Sequence, residues 1–303
     1  MFSDASNFVQ GVDLSFAVIL GISLFFLIGI TAVMIYFVLR YRKSRNPEAT
    51  QIEGNNKLEI VWTVIPTLLV LVMFYYGWTG YEPMRNIPED AIPIKAYAQM
   101  WSWNFEYENG KFSDSLVVPL DKAVRLDLES RDVLHSLYVP AFRIKEDVVP
   151  GKTNQMWFIA QEKGSFDLFC AEYCGLRHAY MLTKVVVVPE DKYTEWLNDT
   201  TSVGSEHPGF AVIKQNACVS CHSLDGTKLV GPSFKDLWNS SREVVSKGIK
   251  RQVVADEDYI RKAIYEPNEE IVEGYNKGLM ISYKGQIPEE EMQDLIGYLK
   301  TLK

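Results

Sequence analysis

Two uninterrupted apolar runs set the first limit on what this chain can fold into. Leu14 to Leu39 contains no charged residue, and neither does Ile60 to Trp78. A hydrocarbon core of ~30 Å takes ~20 helical residues to cross, so both runs are long enough to span. They predict a helical hairpin anchored in membrane lipid. The connecting loop holds Arg40, Arg42, Lys43, Arg45 and Lys57 against Glu48 and Glu53, while the N-terminal flank carries Asp4 and Asp13 and no basic residue. Basic loops mark the cytoplasmic side, so both chain ends are expected on the opposite face. The first run lacks a basic leading segment and a small-residue cleavage site and is too long for a signal core, so it is expected to be retained. Pro66 inside the second run removes one backbone bond and can kink the helix.

The four cysteines and two of the four histidines fall in two clusters beyond this hairpin. Cys218-Val219-Ser220-Cys221-His222 is C-x-x-C-H. Two thiols at this spacing can each add across a haem vinyl group while the next histidine reaches the iron, which makes it the attachment pattern for c-type haem. A redox dithiol is the plainer alternative. A zinc site would need two more ligands, and only His207 precedes the motif closely.

The other cluster is Cys170-Ala171-Glu172-Tyr173-Cys174 followed by His178 and Met181. Cysteines four apart on a loop can share two metal ions as bridging thiolates. The later imidazole and thioether are terminal ligands of the soft kind that copper prefers. A Cys170 to Cys174 disulfide is the competing reading.

After Trp78 the periodicity changes. Val124 to Ser130 alternates apolar and polar, and Leu182 to Val188 is β-branched and ends at Pro189; Ile92 to Gln99, Gln155 to Ala160 and Ser165 to Phe169 are further candidate strands. Short strands separated by Pro, Gly and Asp turns predict an all-β sandwich or barrel. Trp101 and Trp103 read as same-face positions on one strand. Asn198 to Ser205 is small, polar and aperiodic, as a linker is. Beyond it, helices are predicted before the haem motif, around Asp258 to Tyr265, and from Pro288, where Met292, Leu295, Ile296 and Leu299 recur at helical spacing. The expected division is 1–82 for the hairpin, 83–197 for the β domain, 198–206 for the linker and 207–303 for a haem domain. A net charge of -8 argues against nucleic acid and for a basic partner.

The run from Cys170 to Met181 resembles the CuA loop of cytochrome c oxidase subunit II. Asp132-Val133-Leu134-His135-Ser136 resembles the segment with that family's first histidine ligand. Trp101 to Tyr107 is similar to its aromatic patch, Pro150 to Gln155 to a loop before the copper strand, and Leu58 to Pro66 to the start of its second membrane helix. Together these cover about residues 14 to 190. The remainder resembles a class I monohaem cytochrome c, as in the heme-copper oxidases whose subunit II carries a fused cytochrome c domain.

The resemblance implies a cupredoxin-like Greek-key β domain and an all-α cytochrome c domain. It implies a binuclear copper centre, CuA, with Cys170 and Cys174 bridging, His135 and Met181 completing one copper, and His178 with the Glu172 carbonyl completing the other. The Glu172 side chain would face a magnesium ion shared with the catalytic subunit; a surface hydrogen-bonding role is its plainer reading. Trp101 would be the point where electrons reach copper, against plain aromatic packing. Glu59 would lie near the mouth of a proton pathway, against an interfacial carboxylate at a helix start. Met280 would be the sixth haem ligand, although the family commonly has proline where Ile281 stands; Met292 is the rival, on an apolar helical face. Gly231-Pro232 resembles the loop that orients the proximal histidine, here His222.

The implied activity is electron relay within a respiratory terminal oxidase. A donor, either a cytochrome c or a quinol-oxidising complex, would reduce haem c. Electrons would pass through CuA to catalytic subunit I, which with the other oxidase subunits reduces oxygen to water and pumps protons. The implied setting is a bacterial plasma membrane with both metal domains on the periplasmic side. A copper-binding assembly factor would have a thioredoxin-like pattern and no haem motif. A CuA reductase of the nitrous oxide type would need a histidine-rich second copper site, and this chain has four histidines in all. Quinol oxidase subunits of the same fold lack the copper ligands.

Overall fold

The computed structural model describes residues 5–48, 50–51, 53–199 and 207–303. Asp4 and residues 200–206 of the expected linker lie outside the described residues. Helix α1 (Val9–Arg40) and helix α2 (Asn56–Arg85) form the expected hairpin. Most of their apolar side chains are exposed in the isolated chain, which suits lipid or a neighbouring subunit. Asn55 caps α2, its side chain accepting from the Leu58 N–H at 3.2 Å. The helix runs through Pro66 without a break and continues past Trp78 to Arg85. The two helices meet closely near Gly11 and Gly80, and Ser15 Oγ donates to Tyr76 O at 2.8 Å.

At this end the hairpin joins the β domain. Trp157 Nε1 donates to Pro83 O at 3.1 Å, Arg85 pairs with Glu146 at 3.0 Å, and Arg143 Nε donates to Asp13 of α1 at 2.8 Å. The loop joining α1 to α2 therefore lies at the far end of both helices.

The β domain holds two five-stranded sheets. Strands β1 (Ile92–Gln99), β2 (Ser102–Tyr107), β3 (Phe112–Ser113), β5 (Ala123–Ser130) and β8 (Asn154–Ile159) run in the order β3-β2-β1-β5-β8. Strands β4 (Leu116–Pro119), β6 (His135–Val139), β7 (Ile144–Val148), β9 (Gly164–Cys170) and β10 (Leu182–Val188) run in the order β4-β10-β9-β6-β7. Alternation puts Val124, Leu126 and Leu128 of β5 and Val185 and Val187 of β10 into one shared core. Helix α3 (Glu190–Asn198) closes it by packing Trp196 edge-on against Tyr107. Trp101 lies in the turn between β1 and β2 rather than on a strand with Trp103. Both indoles are nevertheless buried.

The last domain has the expected helices α4 (Pro208–Gln215), α5 (Glu257–Tyr265) and α6 (Glu289–Leu299). Helices α4 and α6 cross so tightly that a Cβ on Gly209 would sit 1.9 Å from Asp294 O, so only glycine fits. Met292, Leu295, Ile296 and Leu299 are all buried, as their spacing requires. The structure adds a small sheet that the helical pattern did not indicate: β11 (Ser241–Ser246), β12 (Ile249–Val254) and β13 (Ile271–Val272), ordered β12-β11-β13. Lys247 and Gly248 turn β11 into β12, both with positive φ (49° and 83°), as a two-residue hairpin turn demands.

Candidate metal and haem sites

Cys170 is the last residue of β9 and His135 the first of β6, and these strands are paired. Pairing therefore brings a thiol and an imidazole to one end of the sheet. The loop after β9 returns Cys174, a 3-10 turn carries His178, and Met181 leads into β10. Cys170 Sγ lies 3.8 Å from His135 Nδ1, 3.8 Å from Cys174 Sγ and 3.3 Å from the Glu172 carbonyl. Cys174 Sγ lies 3.5 Å from His178 Nδ1 and 3.8 Å from Met181 Sδ. All six sequence-predicted ligands converge. The two sulfurs are too far apart for a disulfide, which needs about 2.05 Å, and the ligand atoms of His135, Cys170 and Cys174 lie within 4.8 Å of one another. Two thiolates, two imidazoles, a thioether and a carbonyl suit copper better than a hard cation.

Burial and mutual contact couple the titration of the two thiols and His135. Burial pushes the Cys170 thiol up, but hydrogen bonds from His135 and nearby backbone outweigh it and hold the thiol below its ordinary range. Burial and the charge of Cys170 push Cys174 up. Burial pushes His135 down, and hydrogen bonds with Asp132 and Cys170 more than reverse this. His135 Nε2 donates to Asp132 Oδ1 at 2.7 Å, which leaves Nδ1 facing the thiols. Asp132 Oδ2 also accepts from the Met100 N–H at 2.6 Å. Sequence reading included Asp132 only as part of a matching segment and missed this orienting role. Its position three residues before a ligand histidine was the available signal.

Trp101 packs beneath the copper loop. Its Nε1 donates to the Cys174 carbonyl at 3.0 Å, and a Cβ on Gly175 would lie 3.3 Å from the indole.

The haem motif occupies a 3-10 turn after α4, and its side chains line an apolar cavity with Val230, Phe234, Leu279 and Met280. His222 Nδ1 donates to Pro232 O at 2.7 Å, so Nε2 is left for iron, and Phe234 stacks on the ring at 4.6 Å. Burial pushes His222 down, towards the neutral form that binds metal. A Cβ on Gly231 would come within 2.5 Å of the ring. Cys218 and Cys221 are free thiols. An apolar cavity with two thiols, an oriented histidine and a methionine fits covalent haem. Met280 lines this cavity, whereas Met292 is fully buried in the helical core and does not. Gln99, Met100 and Asp132 of the β domain also line it.

Glu59 sits exposed in the first turn of α2, about 39 Å along the helix from Arg85, so it is not brought to either site. The Glu172 side chain is half-buried and, among the described residues, belongs to no cluster of metal-ligating side chains. His207 caps α4, its Nδ1 accepting from the Gly209 N–H at 3.1 Å.

Comparison with known families agrees with this arrangement. Residues 1–77 match the cytochrome c oxidase subunit II transmembrane domain, 111–188 its periplasmic domain, and 207–303 the cytochrome c family. Cytochrome c oxidase subunit 2 of Alkalihalophilus pseudofirmus is 32% identical over 304 residues, covering 94% of this chain and 86% of the relative. That of Bacillus sp. (strain PS3) is 29% identical over 295 residues, covering 87% and 79%. The periplasmic domain of subunit II of cytochrome oxidase from Bradyrhizobium japonicum aligns over 39% of this chain and 98% of that domain, with 30% identity and a TM-score of 0.37. With a membrane-anchoring hairpin, a cupredoxin-like domain and a cytochrome c domain, the chain belongs to the cytochrome c oxidase subunit II family, a component of an oxidoreductase complex.

Proposed function

We propose that this subunit takes electrons at a covalent haem c held by Cys218, Cys221, His222 and Met280, and hands them to a binuclear copper centre held by His135, Cys170, Glu172 O, Cys174, His178 and Met181. From there they would reach the catalytic subunit, where oxygen reduction and proton pumping occur. The groups supply fast one-electron exchange when bound; the chain supplies their geometry and potential. The observation that carries the reading is a shared segment, Met100-Trp101. Cys221 Sγ lies 3.8 Å from Met100 O, and the neighbouring Trp101 indole is hydrogen-bonded to the backbone of Cys174. One peptide therefore touches both ligand sets.

The division into residues 1–82, 83–197, 198–206 and 207–303 belongs to this reading, as do a periplasmic location of both metal domains and a bacterial plasma membrane. So do the donor, a cytochrome c or a quinol-oxidising complex, a magnesium ion at the Glu172 side chain completed by the catalytic subunit, and proton uptake near Glu59. The basic loop between α1 and α2, at the end remote from the β domain, supports the orientation.

Rapid reduction of the intact oxidase tests the relay. Trp101→Ala is expected to slow copper reduction by the haem at least tenfold while leaving both optical spectra unchanged. Copper reduction at the wild-type rate would mean that electrons reach copper by another surface.

A further inference from the structure

The boundary between the two metal domains contains polar side chains that neither site uses. Gln99, at the end of β1, and Asn104, in β2, are each only 6% exposed. Buried amides need partners, and theirs lie in the other domain. Gln99 Nε2 donates to Asn216 O at 2.9 Å and to the Tyr283 hydroxyl at 3.2 Å. Asn104 Nδ2 donates to Gln215 O at 2.7 Å and Lys214 O at 3.1 Å. These carbonyls close α4, where a helix leaves its last C=O groups without intrahelical donors. Arg131 holds the Gln99 amide from behind, donating to Oε1 at 3.3 Å, so the NH₂ is turned towards the haem domain. The Tyr283 hydroxyl in turn donates to Asn216 O at 3.2 Å.

The placement of these bonds gives them a consequence. Residue 216 precedes the first haem cysteine by two positions, and Tyr283 follows Met280 by three. The two amides thus grip the haem domain at the approach to its attachment motif and at its methionine loop. Cys221, Val230 and Leu279 pack against the β-domain core beside them. A sliding apolar contact alone would tolerate many orientations, whereas paired donors on fixed strands accept one.

We infer that Gln99 and Asn104 are positioning residues that lock the haem domain onto the copper domain in a single orientation, by capping the end of α4 and tethering Tyr283. This deepens the proposed relay and rests on it for its purpose, but the docking itself does not depend on which metals are bound. The haem domain is then a fixed donor rather than a freely swinging one.

The test uses the full-length chain in the solubilised oxidase. Gln99→Glu with Asn104→Asp keeps side-chain size and replaces donors by acceptors that oppose the carbonyls. Hydrogen exchange measured by mass spectrometry is expected to accelerate at least tenfold in peptides covering residues 97–105 and 211–222, with β5 and β9 unaffected. Gln99→Glu alone, in which Arg131 can still pair with the new carboxylate, protects against misfolding of β2 and should show a smaller change of the same pattern. In the double variant, electron transfer from haem to copper should slow and become dependent on solvent viscosity, while direct reduction of copper by a small external reductant stays at the wild-type rate. Unchanged exchange in both peptides would overturn the lock. Faster exchange with an unaltered, viscosity-independent transfer rate would overturn its positioning role. If the wild-type chain passed no electrons from haem to copper, the relay would fail, and exchange alone would still decide the docking.

Discussion

The copper domain and the haem domain both present a short cysteine motif with a nearby histidine, but they hold it differently. In the copper domain the ligands hang from paired strands of a filled sandwich. His135 is held by Asp132, Cys174 O by Trp101, and Cys170 N bonds to Met181 O at 3.0 Å, all from protein groups alone. In the haem domain the motif lines a cavity, and residues from α5, α6, the β11 sheet and the Met280 loop surround that space. One site is imposed by the fold, whereas the other needs its ligand to complete the core. Metal loss and haem loss should therefore have unequal structural consequences.

Blocking haem attachment should give the largest effect. Cys218→Ala with Cys221→Ala is expected to remove the covalent haem and to destabilise its domain by about 4 kcal/mol or more, since emptying even one large aromatic core position costs about 3–5 kcal/mol. Calorimetry should show that transition shifting down or vanishing while the β-domain transition stays. Equal melting with and without haem would break the contrast.

Next is Cys174→Ser, which removes one bridging sulfur. Copper content should fall from two ions to at most one, with loss of the seven-line paramagnetic resonance pattern expected of a delocalised pair. The β domain should keep its fold, because its sheets pack without the metal. Unfolding of the variant would show that copper supports that core as haem supports the other.

A third, smaller effect separates the two methionines of the haem domain. Met280→Ala should remove the weak long-wavelength band of methionine-ligated ferric haem and lower the potential, with the domain still folded. Met292→Ala should keep the band and cost about 2–5 kcal/mol, since it empties a fully buried core position. Exchanged outcomes would reverse the assignment.

Legibility in the sequence followed the same divide between local pattern and long-range contact. The hairpin, the strands from Ile92, Val124, Gln155, Ser165 and Leu182, and the three helices of the haem domain were readable because period and composition are local. Of the candidate copper ligands, Cys170, Cys174, His178 and Met181 were readable because they carry rare soft chemistry at a fixed spacing, whereas His135 and the Glu172 carbonyl were placed only by the family resemblance. Strands β4 and β6 are short and almost wholly buried, so they offer little alternation, and β7 is short with three charged residues at its centre. The β11–β12 turn did leave a signal, Lys247-Gly248 between two β-branched runs. Gln99 and Asn104 left none: a buried amide reads like any surface amide until its partner, over a hundred residues away, is seen. Asp132 is an intermediate case, close to His135 in sequence but joined to Met100 only by folding.

The smallest expected effect concerns acid. In the haem domain Glu270 receives Lys262 Nζ from α5 at 2.6 Å and Arg251 from β12 at 2.5 Å, so one carboxylate ties the sheet to a helix beside the haem cavity. The hydrogen bond from Lys262, opposed by burial and reinforced by Arg251, holds this carboxyl below its ordinary range. A carboxyl lowered on folding adds stability above its unfolded value, and this is lost as pH falls through the lower folded value. The loss should therefore begin below about pH 4.3, the ordinary glutamate value. Both basic partners are largely exposed, so solvent screening limits the contribution to about 1 kcal/mol. Glu270→Gln should lower the haem-domain transition by that amount at pH 7 and flatten its dependence on acid, while the β-domain transition, whose ends are fixed by buried hydrogen bonds such as that of Trp101, is unchanged. If the variant retained the wild-type acid dependence, Glu270 would not be the group that joins sheet to helix, and the acid sensitivity of this domain would have to come from elsewhere on its surface.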